Sequence, residues 1–413
     1  MASAVASDLN SNSNSNSNPM PAPSLLPALL MACAIAVVNG FGRFAYAMLL
    51  PVMRDDLAWD YALSGWLNTA NSIGYGVGAL AGLWLLARCQ PAVLFVAGLA
   101  TTVLTLLLCG FTKDLYTMMV WRFLTGVGSA WVFACGGALV ATLYANDAAK
   151  SGAAIAIYYA GGGLGIVASG LLLYPVLSGQ WAWTIGWMVL ALAGLVLCVW
   201  PAKVAWGVGG QTSELIQQPL QLRPLWAMLG AYFLFGVGYI VYLTFVIAWL
   251  REMQLGHLAA TGIWLVLGLA AIASGWAWTG PMARWRPTQT FGAATLCTAV
   301  GSMLPLILPL MSAQWPLLVL SAALVGVSFF MVPAAMMALA KAHLPQSQWA
   351  KAMNLFTFIF AIGQAIGPVL AGWIADSQGL PTAMLAAGLT LLLAAGIALA
   401  QGKQNQTVPL PPA

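Results

Sequence analysis

Twelve apolar runs follow one another from Leu25 to about residue 400, each near the 20 residues that a helix needs to cross a hydrocarbon core. They begin near Leu25, Tyr61, Pro91, Leu115, Ser151, Gln180, Pro224, Leu258, Thr288, Trp315, Ala350 and Leu380. Hydrophobic residues make up 62% of the 413 positions and charged residues only 6%, a mix no water-soluble domain carries. In lipid, every backbone polar group must be satisfied within the chain, which leaves helices or a closed barrel. Runs of this length, rich in Leu, Ala and Gly and without period-two alternation, exclude the barrel. The expected fold is an all-α integral membrane protein of 12 transmembrane helices.

The segments between these runs set the domain plan. Residues 1–24, with SNSNSNSN ahead of PMPAPS, have too little apolar content to fold and no basic flank of a secretory signal, and read as a disordered cytoplasmic tail. Residues 201–223, with GVGGQTSE and QQPLQLRP, form the longest later polar interruption and read as a cytoplasmic linker. The linker divides a six-helix half at 25–200 from another at 224–400, with a short tail at 401–413. Counted from a cytoplasmic N-terminus, nine Lys or Arg fall inside (Arg88, Lys150, Lys203, Arg223, Arg284, Arg286, Lys341, Lys351, Lys403) and three outside (Arg54, Lys113, Arg251). The positive-inside rule therefore places both termini in the cytoplasm of a bacterial-type inner membrane. The net charge of +5 is spread thinly through the loops, so nucleic acid is not an expected partner; the lipid bilayer and a small solute are, for a protein expected to be monomeric. Six cysteines without a CxxC pair indicate neither a disulfide framework nor a metal site, and no cofactor is expected.

The two halves share residual identity. A shift of 196 lays Gly40, Gly42, Tyr46 and Asp56 over Gly236, Gly238, Tyr242 and Glu252; a shift of 200 lays Gly126 and Val127 over Gly326 and Val327; a shift of 202 lays Gly161, Gly165 and Gly170 over Gly363, Gly367 and Gly372. Repeated six-helix halves around a midplane site are the design of an alternating-access carrier.

Two arginines lie deep in apolar runs, Arg43 in NGFGRFAY and Arg122 in MVWRFLTGVGSA, where a cation is costly. No Asp or Glu lies comparably deep, so a bound anion is one candidate partner for both, and their planar forks suit carboxylate or sulfonate oxygens. The other reading is that each guanidinium binds backbone carbonyls and ties helices together. Asn39, Arg43 and Tyr46 follow i, i+4, i+7 spacing and are expected on one face of span one. Asn68, Asn71 and Tyr75 form a similar stripe in span two, and Asn354, Thr357 and Gln364 in span eleven. Tyr232, Tyr239 and Tyr242 of span seven offer hydroxyls and rings to the same solute, Tyr232 alternatively as an interfacial anchor. The candidate binding set is thus Arg43, Arg122, Asn39, Tyr46, Tyr239, Tyr242 and Gln364. Catalytic clusters of His, Asp, Glu or Cys at membrane depth and a Walker loop are both missing, which argues against an enzyme or an ATP-driven pump.

After the tail, the chain resembles the major facilitator superfamily over nearly its whole length. Arg122, Gly126, Gly128 and Ala130 make a RxxxGxGxA pattern similar to the superfamily's fourth-helix motif, and NGFGRFAY is similar to a YbfB/YjiJ-type branch. The resemblance implies a secondary transporter with a cavity lined by spans one, four, seven and ten. In the loop after span two, GALAGLWLLARC keeps Gly78 and Arg88 of the superfamily's GxxxDRxGRR but has Gly82 for the acid, and GPMARWR keeps Gly280, Arg284 and Arg286. Gly126, Gly161, Gly165, Gly363, Gly367, Pro368, Arg88 and Arg284 are the expected gating or helix-packing residues. The GxxxGPxxxG pattern of drug antiporters appears in span eleven, Gly363 to Gly372, and not in span five, where Ile166 replaces the proline. A carrier of a small organic anion is the leading expectation; efflux of a drug or sugar-like solute with structural arginines, and a non-transporting sensor, are the alternatives.

Overall fold

The protein is described here from a computed structural model covering residues 24–208, 225–310, 314–345 and 348–404. The N-terminal tail, most of the expected linker and residues 405–413 lie outside the described residues. The described residues form twelve spans, several of them interrupted. Span one is α1 (Leu26–Ile35), a π-helical segment (Ala36–Phe44) and α2 (Tyr46–Leu57). Spans two to seven are α3 (Tyr61–Leu86), α4 (Pro91–Cys109), α5 (Leu115–Leu143), α6 (Ala148–Ser178), α7 (Trp183–Val208) and α8 (Trp226–Glu252). Span eight is α9 (His257–Ala277) with α10 (Thr279–Arg284); span nine is α11 (Pro287–Met303) followed by a 3₁₀ segment, Leu304–Leu310, whose LPLILPL sequence lacks two backbone donors. Span ten is α12 (Gln314–Phe329) with α13 (Met331–His343), and α14 (Trp349–Gln378) and α15 (Leu380–Gln404) complete the bundle. Two expected borders shift: α7 stays helical through Val208, past the linker start placed at 201, and α15 runs to Gln404, past the tail start at 401. Both helices run through a local breaker at the expected border, Pro201 inside α7 and Gly402 inside α15.

Eleven of the spans are apolar enough to cross a membrane on composition alone. The twelfth, α3, is long enough at 26 residues but carries Ser64, Asn68, Thr69, Asn71 and Ser72, all buried. It can be polar because α5 and α14 cover its polar side, while the strip left outward is apolar, with Trp66, Ile73, Val77, Leu80 and Trp84. Asp60 and Asp114 cap α3 and α5, accepting from the Leu63 and Thr117 amides at 2.7 and 2.8 Å. The outward faces present side chains such as Leu192, Leu195 and Val196, as lipid contact requires.

The repeat is visible in glycine packing. A Cβ on Gly161 or Gly165 would strike the Ala32 or Ala36 carbonyl of span one, and a Cβ on Gly363 or Gly367 would strike the Phe233 or Val237 carbonyl of span seven. The shift of 202 is therefore a packing equivalence between spans five and eleven. Likewise Gly126 abuts the Asn71 carbonyl of α3, and Gly326 abuts the Leu267 carbonyl of α9, which matches the shift of 200. The shift of 196 for span one is corrected: Ala32 and Phe233, which receive equivalent glycines, stand 201 positions apart. Under 196, Gly42 falls on Gly238, yet Gly42 faces Thr102 and Thr125 in spans three and four while Gly238 faces Leu391 in span twelve. Short glycine matches slide freely along a glycine-rich helix, so identity alone set the register wrongly.

The halves meet along α3 with α14, α6 with α9, and α2 with α8. Gly65 approaches the Pro368 carbonyl and Gly372 the Tyr61 carbonyl, so backbones touch where one half bears on the other. Gly126→Ala places a methyl about 2.0 Å from the Asn71 oxygen, and overpacking of this kind costs roughly 1–3 kcal/mol. Its unfolding temperature in detergent should fall clearly, whereas Gly230→Ala, whose Cβ meets nothing within 4 Å, should unfold as the parent does.

Candidate functional site

Between the halves lies a cavity of about 1810 Å³. Its deep end is walled by Asn39, Arg43, Tyr75, Tyr239 and Gln364, and its lining continues to Leu86, Pro91, Lys341 and Lys351 at the helix ends that carry most of the Lys and Arg. At the opposite, acidic end the halves are latched. Asp376 of α14 accepts from the Tyr61 and Ala62 amides at the start of α3, at 2.8 and 2.9 Å, and the Tyr61 hydroxyl donates to Glu252. Arg251 lies 3.7 Å from Asp55 and Arg54 4.0 Å from Glu252, both across the halves. Deeper, the Asn68 amide donates to Thr244 at 2.5 Å and the Thr69 hydroxyl to the Ala365 carbonyl at 2.5 Å. The cavity therefore opens toward the basic face and is shut toward the acidic one.

The π segment decides where the first-span side chains point. Its i→i+5 bonding turns the chain through less per residue than an α-helix does, so spacing that shares one α-helical face does not share one face here. Asn39 and Arg43 reach the cavity, but Tyr46 does not. Tyr46 is 1% exposed, stacks on Trp187 and donates to the Ser64 carbonyl at 2.8 Å. Arg43 donates through Nη2 to Oε1 of Gln364, and Nε2 of Gln364 donates in turn to the Tyr239 hydroxyl. That chain of contacts joins span one to spans eleven and seven. The Tyr75 ring lies 4.9 Å below the guanidinium carbon, a cation–π contact.

Arg122 has the other fate. It is fully buried, outside the cavity wall, and donates to the Gly42 carbonyl of the π segment, with the Arg43 carbonyl at 3.5 Å. The Ser129 hydroxyl, two helical turns further along α5, sits 3.2 Å from the Val38 carbonyl of the same segment. The expectation that one anion meets both arginines is thus corrected: the wide π turn exposes carbonyls, and Arg122 is spent on them. Tyr242 is likewise outside the cavity, paired with Ser321 of α12 at 2.8 Å. Asn68 and Asn71 are interhelical, Asn71 holding the Arg122 carbonyl at 3.1 Å, while Tyr75 faces the cavity. Asn354, Thr357 and Gln364 all line it. Gly126, Gly161, Gly165, Gly363 and Gly367 are close-approach positions, and Pro368 lies within α14 at the Gly65 contact. Arg88 lies over the Trp84 ring at 3.7 Å and Arg284 is exposed at the end of α10.

Of the aromatic wall, sequence reasoning named Tyr232 and Tyr239 and missed the phenylalanines Phe329, Phe330 and Phe360. Tyr232, Phe235, Tyr239 and Phe360 stack nearly parallel, with centroids 4.8 to 6.4 Å apart, and Phe329 continues the stack beside Tyr239 at 6.0 Å. Phe44, Phe133, Tyr159 and Phe330 complete the lining around Arg43. The i, i+3, i+7 spacing of Tyr232, Phe235 and Tyr239 in α8 was the available signal.

Residues 35–399 match the family model described as "Uncharacterised MFS-type transporter YbfB". The chain belongs to this family of major facilitator transporters. A curated relative, the uncharacterized MFS-type transporter YceJ of Bacillus subtilis (strain 168), is 27% identical over 250 residues, 57% of this chain and 62% of the relative's length. Among solved structures, a bacterial homolog of the human lysosomal transporter Spinster, in an inward-facing and unoccupied conformation, aligns with a TM-score of 0.70 over 95% of this chain and 99% of that one, at 15% identity. The nucleoside transporter NupG aligns at 0.69 over 91% and 98%, at 12% identity. At such identities the likeness is one of fold.

Two substitutions separate the roles. Arg122→Leu removes the guanidinium donor from the buried Gly42 carbonyl and should lower unfolding stability by about 1–3 kcal/mol, with Arg43→Gln close to the parent in the same unfolding measurement. Asp376→Ala removes the acceptor of two amides across the latch. In a background lacking the native cysteines, a cysteine replacing Thr244 should then react with an impermeant thiol reagent, added on the acidic side, about tenfold faster or more.

Proposed function

We propose that this protein carries a small organic anion across the membrane by alternating access, with Arg43 as the residue that binds the anion's charge. One observation supports the reading above the rest: Arg43 is 5% exposed at the deep end of a cavity between the halves, and among the described residues its polar partner is a neutral carboxamide, with no carboxylate. A buried cation so placed is unneutralised until a ligand supplies the charge. Asn39 offers a polar contact to the anion's oxygens, Tyr239 its hydroxyl, and the rings of Tyr232, Phe329 and Phe360 a surface for an apolar or aromatic body. Carboxylate and sulfonate types fit the guanidinium fork. Arg122 holds span one in shape and does not touch the solute.

With both termini cytoplasmic, as the distribution of Lys and Arg in the loops implies, the cavity opens inward and the acidic latch closes the outer side. The wall of stacked rings also favours a second reading, an apolar or sugar-like solute packed on the aromatic face with Arg43 merely structural. Counterflow in proteoliposomes, after a thermal-shift screen of anions and neutral solutes, separates the two. On the anion reading, Arg43→Gln loses at least about tenfold in transport of the stabilising anion while folding normally. Undiminished transport by that variant would instead select the neutral solute.

A further inference from the structure

Arg43 uses its fork incompletely. Guanidinium presents two parallel donors, Nε–H and the Nη2–H beside it, to a side-on carboxylate. Here Nη2 is taken by Gln364 Oε1, while Nε is buried and has no acceptor among the described residues. A single amide oxygen satisfies one tine and strands the other. The far side of the same carboxamide is equally provisional: Nε2 of Gln364 donates to the Tyr239 hydroxyl, so that oxygen is the acceptor in the pair and its own proton does not reach the carboxamide. Gln364 is itself buried at the deep wall of the cavity, with its amide between a cation and a phenol.

We propose that the Gln364 carboxamide is an internal placeholder for the substrate's carboxylate. The inference rests on the anion reading above and gives Gln364 the role of specificity residue at that site. An entering carboxylate displaces the amide from Arg43, accepts from both Nε and Nη2, and accepts in addition the Tyr239 hydroxyl proton that the amide cannot use. A neutral amide or alcohol gains none of these over the side chain already present, so the placeholder rejects neutral analogues by offering the site an equal partner. Because Arg43 belongs to span one and Gln364 and Tyr239 to spans eleven and seven, the exchange also replaces a direct contact between the halves by one through the solute.

Three variants test this, read by the unfolding temperature of the full-length protein titrated with benzoate and, in parallel, benzamide. Gln364→Ala empties the placeholder and should bind benzoate roughly three- to tenfold more tightly than the parent, with its preference over benzamide reduced. Gln364→Glu supplies the carboxylate from within: without ligand it should unfold at a higher temperature than the parent, and its benzoate affinity should fall at least about tenfold. The gain in unfolding temperature should vanish in the Arg43→Gln, Gln364→Glu double variant. A Gln364→Glu protein no more stable than Gln364→Ala, or a gain that survives loss of Arg43, overturns the placeholder; so does a Gln364→Ala protein that binds benzoate more weakly than the parent. If benzoate stabilises neither the parent nor Gln364→Ala, but the gain of Gln364→Glu still depends on Arg43, the fork accepts a carboxylate as inferred and the aromatic-anion reading of the substrate is what fails.

Discussion

The guanidinium of Arg122 pressed against the carbonyls of a π-helical turn is the contact on which the site depends. A π segment of nine residues, Ala36–Phe44, is a costly piece of backbone to hold in the middle of a span. Its wide turns leave carbonyls poorly used in a medium with no water to bond them. Arg122 of α5 supplies a donor to Gly42, and the Ser129 hydroxyl, which bonds the Thr125 carbonyl of its own helix at 2.7 Å, lies within 3.2 Å of the Val38 carbonyl. The same contact answers a question of charge: a cation at this depth is tolerable when backbone dipoles surround it, and the Tyr46 and Trp187 rings, each 5.5 Å from its guanidinium carbon, add their faces. Glycine makes the arrangement possible, since Gly40 lies against Gly165 and a side chain at either would force the spans apart.

Once the segment is fixed, Arg43 follows. Its side chain leaves the helix where the widened turn directs it, into the gap between the halves, and meets Gln364 from the other half. Arg122 and Arg43 thus divide the labour that two similar sequence contexts conceal. One is neutralised by the protein's own carbonyls, and the other is left short of acceptors at the cavity wall. The acidic latch completes the picture, because Asp376, Glu252 and Asp55 hold shut the end toward which the cavity narrows. Contacts of this kind at a surface are individually weak, as a gate that must reopen requires.

The spans were legible in sequence because the bilayer leaves the chain almost no choice: an apolar run of sufficient length must be helical, and all twelve starts lie within three residues of those expected. The repeat was legible where glycine is demanded by backbone contact, as at Gly126 and Gly326, and misread in span one, where the glycines face different neighbours in the two halves. Arg43, Asn39, Tyr239 and Gln364 were legible as polar groups that lipid would not accept, and they do share one cavity wall. Tyr46 and Arg122 were not assignable, because both hinge on the π turn. Period-based reasoning assumes the α-helical step, and a run such as AVVNGFGRF carries no capping or proline signal that would mark the change. Tyr242 was misplaced by the 196-residue register, which set it opposite Tyr46 by identity alone.

The charge on the cavity wall also constrains the energetics of a cycle, on the reading proposed above. A monoanion moved inward against an inside-negative potential costs about 2.3 kcal/mol per 100 mV, wherever in the cycle that work is done. Paired with Arg43, the anion crosses the field as a neutral unit, so the loaded step feels the potential little. The empty step carries the difference, since there the site holds an uncompensated cation softened only by the Gln364 dipole. No carboxylate lines the cavity among the described residues to trade a proton for that charge. Exchange of one anion for another avoids the empty step altogether, because the guanidinium then never reorients without a partner. A cationic site with a neutral placeholder is therefore better suited to exchange, or to a substrate that brings its own proton, than to uptake of a bare anion.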